Sequence, residues 1–532
     1  MRRLWSNRSG AGVIVLSIAL LLVLAGESGV FGGNGISVVN NGDEARTWAA
    51  SSYVPSTLSP LGGGTYVLDA LSKTTGAAER SPSAGVASQV TDGSSRLLLK
   101  LVSLNLSRPT VHVSDLVAAE VVALGLVLLV AYRRRVAHLQ VLVLAVVVLP
   151  VFSRWLNSLY SDGPALAGTA ALLIAWLGTR DDAASAPRRV ATWGAMALAI
   201  GFVAFSNVSF VAIAVVGVVA QVVTLALAVR SRARARERSG SAAAFAELLA
   251  RSALVVLSVV LVVLSVGIET RSSLLQTMAH TTYSTDFLTT IAIPLLGVSL
   301  VSTYGMPHQL LQMKGISYWQ VPTRWGHIPG WESFVSGHVS AVRLDLLRNP
   351  IMDARLLGQS LVASTSPSIA YLGNGTGGAS GHDVSLWSRA VDLWWLGGEA
   401  VARLVMIPFT SGALGVVTVV VMIVGVVMMA RDRLRGESSR VHLLEADEGL
   451  VIWCVVAACV SCLMSVFGDG TAGLGRHNLV ASYCLMIAVI SFVLAGLKWR
   501  GLSLAASTDR SFAVEESTAD SGSQKVGTNA AI

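Results

Sequence analysis

The sequence has little charge for a chain of its length. Only 13% of its 532 residues are Asp, Glu, Lys or Arg, whereas 53% are hydrophobic and the mean hydropathy is +0.64. Soluble domains carry about a quarter charged residues, so a chain of this composition cannot keep most of its length in water. The scarcity of charge therefore excludes an ordinary soluble protein and indicates a membrane protein.

Cysteine is also scarce. The chain has four cysteines, and all of them lie within its last two apolar segments. Cys459 and Cys462 have the C-x-x-C spacing, but no second pair and no nearby histidine accompanies them. The pattern therefore predicts neither a disulfide framework nor a zinc site.

Several functional signatures are missing. The chain has no glycine-rich phosphate loop, no Gly-x-Ser-x-Gly nucleophile elbow and no His-Glu-x-x-His helix. Nucleotide-driven pumping and zinc proteolysis therefore lack their signatures. The net charge of +8 does not indicate nucleic acid as a partner, because the basic residues cluster beside apolar runs instead of forming a binding face.

Ten apolar runs are distributed along the chain. Their approximate bounds are 11–25, 117–132, 139–152, 165–177, 190–205, 210–229, 253–268, 404–429, 451–467 and 479–497. Basic clusters follow the second, fourth, sixth, eighth and tenth runs, and the positive-inside rule places all of these ends in the cytoplasm. The sequence predicts an all-α polytopic membrane protein with about ten transmembrane helices, in the cytoplasmic membrane.

The first run has two interpretations. It is short and followed by small residues, as in a cleaved signal peptide, or it is a retained signal anchor that the glycine-rich stretch to Phe31 extends. In both cases the residues after 35 face outward. We expect extracytoplasmic regions at 36–114 and 269–400, spans two to seven within 115–268, spans eight to ten within 401–500, and a disordered tail at 501–532.

A shorter apolar segment, 287–302, lies inside the second extracytoplasmic region. It carries Pro294, and if it crossed the membrane alone the arginines after span eight would fall outside the cytoplasm. We therefore expect a re-entrant or interfacial helix there. Residues 97–106 form a second candidate for an interfacial helix, or an ordinary surface helix.

Three acidic residues fall at the outer ends of predicted spans. Asp43 follows span one in the stretch NNGDEAR, Asp162 follows span three in NSLYSDGP, and Asp469 precedes span ten in GDG. Carboxylates beside the hydrocarbon layer are costly unless they are paired or face water, which favours a function for the three together. Ordinary turn chemistry is the alternative for each of them.

Basic and aromatic side chains accompany these acids. Arg476 and His477 can clamp a phosphate and exchange protons with it, or can simply anchor span ten at the interface. Arg46, Arg154 and Tyr160 are weaker candidates of the same kind. The second outer region also holds four tryptophans whose faces can stack on sugar rings: Trp319, Trp325, Trp331 and Trp387.

These motifs resemble those of C-type glycosyltransferases, which are polytopic bacterial membrane proteins that use polyprenyl-phosphate sugars, and especially the surface-glycan hexosyltransferase-like group. The motifs are NNGD with Arg46, NSLYSDGP at 157–164, GDG at 468–470 with Arg476 and His477, GMP at 305–307, and GISYW at 315–319. The chain departs from the family pattern at Asp162, where an acidic-Pro pair is usual, and at Arg476, where lysine is usual.

The resemblance implies inverting transfer of a sugar from a polyprenyl-phosphate donor to a cell-envelope glycan or lipid acceptor, on the outer face of the membrane. It makes Asp43 the general base, while Arg476 and His477 hold the departing phosphate. Asp162 and Asp469 then orient the sugar, or a divalent cation if the reaction uses one. A lipid-linked-glycan transporter and a non-catalytic envelope scaffold remain open alternatives.

Overall fold

The structure is a computed structural model of the chain. It describes residues 2–27, 30–31, 36–38, 53–62, 65–73, 94, 97–98, 101–102, 110–158, 161–180, 184–235, 242–271, 284–316, 325, 327–365, 374–376, 386–436, 446–469, 474 and 478–499.

The chain folds as a multi-pass α-helical membrane protein. Six helices are long and apolar enough to cross a membrane: Val113–Ala131, Val211–Arg230, Ala243–Ile268, Gly412–Arg431, Ala446–Phe467 and Leu479–Trp499. The pair Ala137–Val147 and Pro150–Leu156 makes a seventh crossing if it is one span, although it is bent by 74°. The prediction of a helical membrane protein is thus confirmed, whereas length and composition support six or seven crossings among the described residues instead of ten.

The helices are numbered in chain order. Their bounds are α1 (Arg2–Glu27), α2 (Val113–Ala131), α3 (Ala137–Val147), α4 (Pro150–Leu156), α5 (Asp162–Gly178), α6 (Ala186–Ala204), α7 (Val211–Ala235), α8 (Ala242–Arg271), α9 (Ser284–Leu296), α10 (Ser299–Tyr304), α11 (Trp331–Leu347), α12 (Pro350–Ala363), α13 (Leu386–Met406), α14 (Gly412–Gly436), α15 (Ala446–Asp469) and α16 (Leu479–Trp499).

Two small antiparallel sheets lie in the loops, so the chain is not purely α-helical. Strands β1 (Ile36–Val38) and β5 (Asn374–Thr376) form one sheet and join the two predicted outer regions. Strands β2 (Tyr53–Gly62), β3 (Thr65–Lys73) and β4 (Thr110–His112) form the other sheet, in that order. The sequence analysis did not predict these strands, because the loop region lacks the long apolar runs on which that analysis relied.

Helix α5 is the centre of the bundle. Every one of its residues except Ala171 is buried, and it packs against α2, α3, α4 and α6. Small residues allow this close packing, since a Cβ added at Gly178 would lie 2.5 Å from the Ala131 carbonyl oxygen. A helix that is surrounded by protein needs neither the length nor the composition of a lipid-facing span, which explains why α5 is short.

The arginine-bearing helix ends meet at one end of the bundle, which we call the basic end. There Arg133 Nη2 donates to Thr192 Oγ1 at 3.0 Å, which joins the end of α2 to the start of α6. Arg189 pairs with the buried Glu247 at 2.6 Å, and His138 and Lys498 both contact Asp447. These contacts place the predicted cytoplasmic ends together, as the sequence pattern requires.

The segment 287–302 does not form a single continuous helix. Helix α9 contains one π-helical turn, Leu288–Ala292, and ends at Gly297, whose φ of +53° suits glycine. A helix of this length covers about 20 Å, whereas the hydrocarbon core is about 30 Å thick. α9 packs into a second hydrophobic cluster with α11, so the prediction that it is not a full span is consistent with the structure.

Two of the predicted sugar-stacking tryptophans belong to this second cluster. Trp325 and Trp331 are buried, and their ring centroids lie 5.5 Å apart. Their faces are thus covered by protein, and the expectation that these two stack on sugar is wrong. Trp319 lies outside the described residues, as does the side chain of Trp387.

Span eight begins later than the sequence suggested. The predicted run 404–429 is divided by a 3-10 turn, Ile407–Phe409, so that α13 ends before it and α14 starts at Gly412. Pro408 explains the break, because proline lacks the N–H that would continue the helix. α13 is a separate helix that packs against α4.

Helix α12 enters the bundle from the end opposite to the basic end, which we call the far end. Its start is capped by Asn349, whose side chain accepts hydrogen bonds from Ile351 N and Met352 N. Deeper in, Ser360 Oγ donates to Cys462 O at 3.1 Å, and Ser482 Oγ donates to Ser364 O at 2.6 Å. α12 is therefore inserted between α14, α15 and α16, although the sequence analysis placed it in an outer loop.

Candidate functional site

A small polar cavity lies at the far end of the bundle. Its volume is about 40 Å³, enough for one or two water molecules or for part of a polar ligand. It is lined by Val151, Phe152, Arg154, Ser364, Thr365, Glu399, Ala402, Arg403, Met406, Ser482 and Met486. These residues come from α4, the end of α12, α13 and α16, which are distant in the sequence.

Arg154 is the most deeply buried charge in this cavity, at 1% exposure. It lies on α4, which starts at Pro150 and turns by 74° from α3. Proline at the first helical position is favourable there, because its missing N–H would have no partner. All seven residues of α4 are buried, so the bend carries Arg154 into the protein instead of along the lipid surface.

Glu399 supplies a negative charge close to Arg154 and stabilises its guanidinium electrostatically. The same carboxylate accepts a hydrogen bond from Arg403 Nη2 at 3.0 Å, one helical turn further along α13. A buried guanidinium requires such a counter-charge. The three charges sum to +1, so the cavity favours an anionic group.

Close helix packing holds Glu399 in place. A Cβ added at the neighbouring Gly398 would lie 2.6 Å from Pro150 Cδ. Only glycine therefore allows α13 to contact the start of α4 this closely. The contact lies about one helical turn before Arg154. This contact fixes the distance between the two helices that carry the opposite charges.

The hydroxyl groups of the cavity already donate to helix carbonyls. Ser482 Oγ donates to Ser364 O at 2.6 Å, Ser364 Oγ to Ser360 O at 3.0 Å, and Thr365 Oγ1 to Val362 O at 2.8 Å. Their oxygens remain acceptors, whereas the guanidiniums of Arg154 and Arg403 are donors only. The site thus combines cationic donors on one side with hydroxyl acceptors on the other.

A buried carboxylate also lies beside α4. Glu27, the last residue of α1, is 4% exposed and faces Ser153 and Trp394. α1 packs against α2, α3 and α4, and Leu24 is fully buried in the core. The first apolar run is therefore part of the packed helix bundle.

Of the three predicted acidic residues, Asp162 is the one whose side chain the structure describes. It is 1% exposed in the first turn of α5, where a carboxylate is favoured by the helix dipole. A Cβ at Gly163 would lie 2.5 Å from Trp155 O, so this turn packs tightly on the helix that carries Arg154. Asp162 lies beside α4 but does not line the cavity.

The remaining predicted site residues lie wholly or partly outside the residues that the structure describes. Asp469 is the last residue of α15, and its side chain is not among those described. Asp43, Arg46, Tyr160, Arg476 and His477 lie outside the described residues. The structure therefore brings Asp162 and Arg154 to one end of the bundle and leaves the other predictions untested.

Described residues that flank the NNGDEAR and Arg476-His477 motifs lie close to the cavity walls. β1 packs against α4 and ends at Val38, five residues before Asp43 in the sequence. Asn478 directly follows His477, is fully buried and donates to Ser360 O at 2.9 Å. Both motifs are thus tethered to helices that contribute residues to the cavity.

Among the described residues, no group of three or more His, Cys, Asp or Glu side chains is arranged to hold a metal ion. No family model, curated protein or solved structure matches this chain. The resemblance to C-type glycosyltransferases therefore depends on the short sequence motifs alone.

Proposed function

We propose that this protein is an integral membrane glycosyltransferase that moves a sugar from a polyprenyl-phosphate donor to a cell-envelope acceptor. The observation that carries the proposal is the buried Arg154 with Glu399 at the far end of the bundle, beside the chain segments that flank NNGDEAR and Arg476-His477. A buried cation in a small polar cavity suits the phosphate that leaves during sugar transfer.

In this proposal all ten apolar runs cross the membrane. Helices α1, α5 and α6 join the seven crossings supported by length and composition. α5 can be short because protein surrounds it, and α6 starts with the arginines that mark the basic end. The positive-inside rule then makes the basic end cytoplasmic and the far end extracytoplasmic.

The proposed reaction is a single inverting displacement. Asp43 takes the proton of the acceptor hydroxyl, whose oxygen forms a bond to the anomeric carbon as the bond to the phosphate oxygen breaks. The polyprenyl phosphate leaves with the electron pair, and Arg476 and His477 stabilise its charge. Arg154 adds positive potential from the cavity, while Asp162, Asp469, Arg46 and Tyr160 orient the sugar.

A lipid-linked-glycan transporter is the second candidate, and one observation favours it. α12 ends inside the bundle, next to the cavity, as the broken helices of transporters do. The described residues, however, place their cavity charges at one end of the bundle instead of at its middle. This location favours chemistry at a surface over alternating access.

The test uses cells that lack the native copy and carry Asp43→Asn or Arg154→Gln. We expect loss of the sugar from the envelope glycan, with the lipid-linked donor accumulating on the outer leaflet. Accumulation on the inner leaflet would instead support the transporter. Unchanged glycan in cells with normally inserted Asp43→Asn protein would overturn the proposed general base.

A further inference from the structure

A second, larger cavity lies between α12 and α14. It is an open groove of about 660 Å³, within the range of small-ligand sites. Its lining is mostly apolar and consists of Ala354, Arg355, Gly358, Gln359, Val362, Gly412, Ala413 and Val416. None of these residues belongs to the cavity around Arg154, so the groove is a separate site.

The groove has a floor where the two helix backbones touch. A Cβ at Gly358 would lie 2.9 Å from Gly412 O, and one at Gly412 would lie 3.0 Å from Gly358 C. The glycines bring α12 and α14 together at this point. The longer side chains around it, such as Val362 and Val416, form the walls of the groove.

Along the groove, the described residues leave one face of α12 partly uncovered. Ile351, Arg355, Gln359 and Val362 follow the spacing of three and four residues that places side chains on one helix face, and Arg355 and Gln359 are exposed. Ile351 is 78% exposed. A large apolar side chain that the protein leaves exposed is stabilised by contact with another apolar group.

The surface that continues from the groove is a membrane span. On α14, Val417, Val420 and Val421 are each more than half exposed, within the span Gly412–Arg431. A bilayer surrounds a span of this length with lipid chains, which can cover these valines. The groove therefore opens sideways into lipid, and its occupant must come from the membrane.

A positively charged residue lies at one end of the groove, where the headgroup of a lipid would bind. Arg355 lines it and is exposed, and its guanidinium forms no ion pair with any carboxylate among the described residues. Asp353, the carboxylate nearest to Arg355 in the sequence, lies about 200° away from it around the helix and therefore on the opposite face. Gln359 lies one turn deeper than Arg355 and can donate to the same headgroup.

We propose that this groove binds one anionic diacyl phospholipid of the bilayer, with its phosphate at Arg355 and one acyl chain along Val362 and Val416. The bound lipid would fill the space beside the inserted helix α12 and hold it against α14. The site is independent of the proposed sugar transfer, because it needs neither the donor sugar nor the cavity around Arg154.

The test is lipid binding to the purified full chain in detergent, followed by native mass spectrometry. The probes are phosphatidylglycerol and phosphatidylcholine with identical acyl chains. We expect one tightly bound phosphatidylglycerol, and Arg355→Gln should weaken it about fivefold but weaken phosphatidylcholine less, because its choline cation offsets the phosphate charge. Arg348→Gln is the matched control, since Arg348 is 70% exposed on the same helix hairpin but pairs with Asp345 and does not line the groove.

A second pair of variants tests the acyl-chain part. Ala413→Trp should fill the groove and displace both lipids, whereas Val417→Trp places the same bulk on the open lipid face of α14 and should not. Equal melting temperatures for the two tryptophan variants show that the fold is kept. Unchanged phosphatidylglycerol binding in both Arg355→Gln and Ala413→Trp would overturn the proposal. So would preferential displacement of phosphatidylglycerol by a polyprenyl phosphate, which would make the groove a site for the isoprenoid carrier.

Discussion

The side-chain amide of Asn478 donates to two atoms of Ser360, its carbonyl oxygen at 2.9 Å and its Oγ at 2.8 Å. Both residues are fully buried. The pair joins the inserted helix α12 to the residue that directly follows the Arg476-His477 motif. The end of α12 also supplies Ser364 to the cavity wall, so these bonds fix Asn478 to a helix that lines the cavity.

Replacing Asn478 with leucine should destabilise the protein by about 2 kcal/mol, because it removes two buried hydrogen bonds and leaves Ser360 Oγ without the donor that it accepts from. The measurement is the melting temperature of the purified protein in detergent. Thr418→Val is the matched control: Thr418 also lies near the start of a membrane helix, but its hydroxyl is exposed and bonds only within that helix. A melting temperature equal to that of the control would show that the Asn478–Ser360 bonds contribute no stability.

The charges of Arg154 and Glu399 should behave as a pair. Removing Glu399 takes a counter-charge from the buried Arg154, a change that costs about 3 kcal/mol in comparable cases, whereas removing Arg154 leaves Glu399 paired with Arg403. We expect Arg154→Gln and Glu399→Gln each to lower the melting temperature, and the double variant to lower it by less than the sum. Strict additivity in this double-mutant cycle would mean that the two groups do not interact.

The sequence predicted the membrane helices well because lipid-facing helices carry their own signal. Long runs such as Val211–Arg230 and Gly412–Arg431 are apolar on all sides, and hydropathy detects them directly. α5 was also located correctly, since its composition is apolar even though protein surrounds it. The crossing number is harder to predict, because a buried helix can be shorter than the bilayer.

The insertion of α12 into the bundle was not predicted, because α12 lacks the long apolar run that identifies a membrane helix. Its sequence, PIMDARLLGQSLVA, contains charged and polar residues and is too short to span. It is inserted through serine hydrogen bonds and a glycine contact with three other helices, none of which hydropathy can detect. Arg154 was identified only as a weak candidate, because its partner Glu399 lies far along the chain and the sequence does not connect them.

Two adjacent glycines on α13 offer a direct test of how that helix positions the cavity. A Cβ at Gly398 would lie 2.6 Å from Pro150 Cδ, whereas one at Gly397 meets nothing within 4 Å. We expect Gly398→Ala to destabilise the protein by about 1–3 kcal/mol through overpacking against proline. Gly397→Ala should be neutral or stabilising by up to about 1 kcal/mol, since alanine favours the helix. Equal melting temperatures of the two variants would show that the α13–α4 contact is loose.

A buried carboxylate, Glu247, holds two arginines at the basic end. Glu247 pairs with Arg189 at 2.6 Å and also with Arg251, which in turn lies over the ring of Trp193. Glu247→Gln should cost about 3 kcal/mol, because two guanidiniums lose their shared counter-charge. Glu332→Gln, at an exposed position on α11, is the control and should change the melting temperature little. If both variants melt alike, the cluster does not stabilise the joint between α6 and α8.

The proposed orientation can be tested with single cysteines and a thiol reagent that does not cross membranes. Three of the four native cysteines are buried and Cys459 is only half-buried, so background labelling should be low. Ser411, exposed at the start of α14, lies at the far end, whereas Ser185, exposed just before α6, lies at the basic end. We expect Ser411→Cys to react in intact cells and Ser185→Cys only after the membrane is permeabilised. The reverse labelling would place the cavity around Arg154 in the cytoplasm, where a sugar acceptor of the outer envelope cannot reach it, and would rule out the proposed glycosyltransferase.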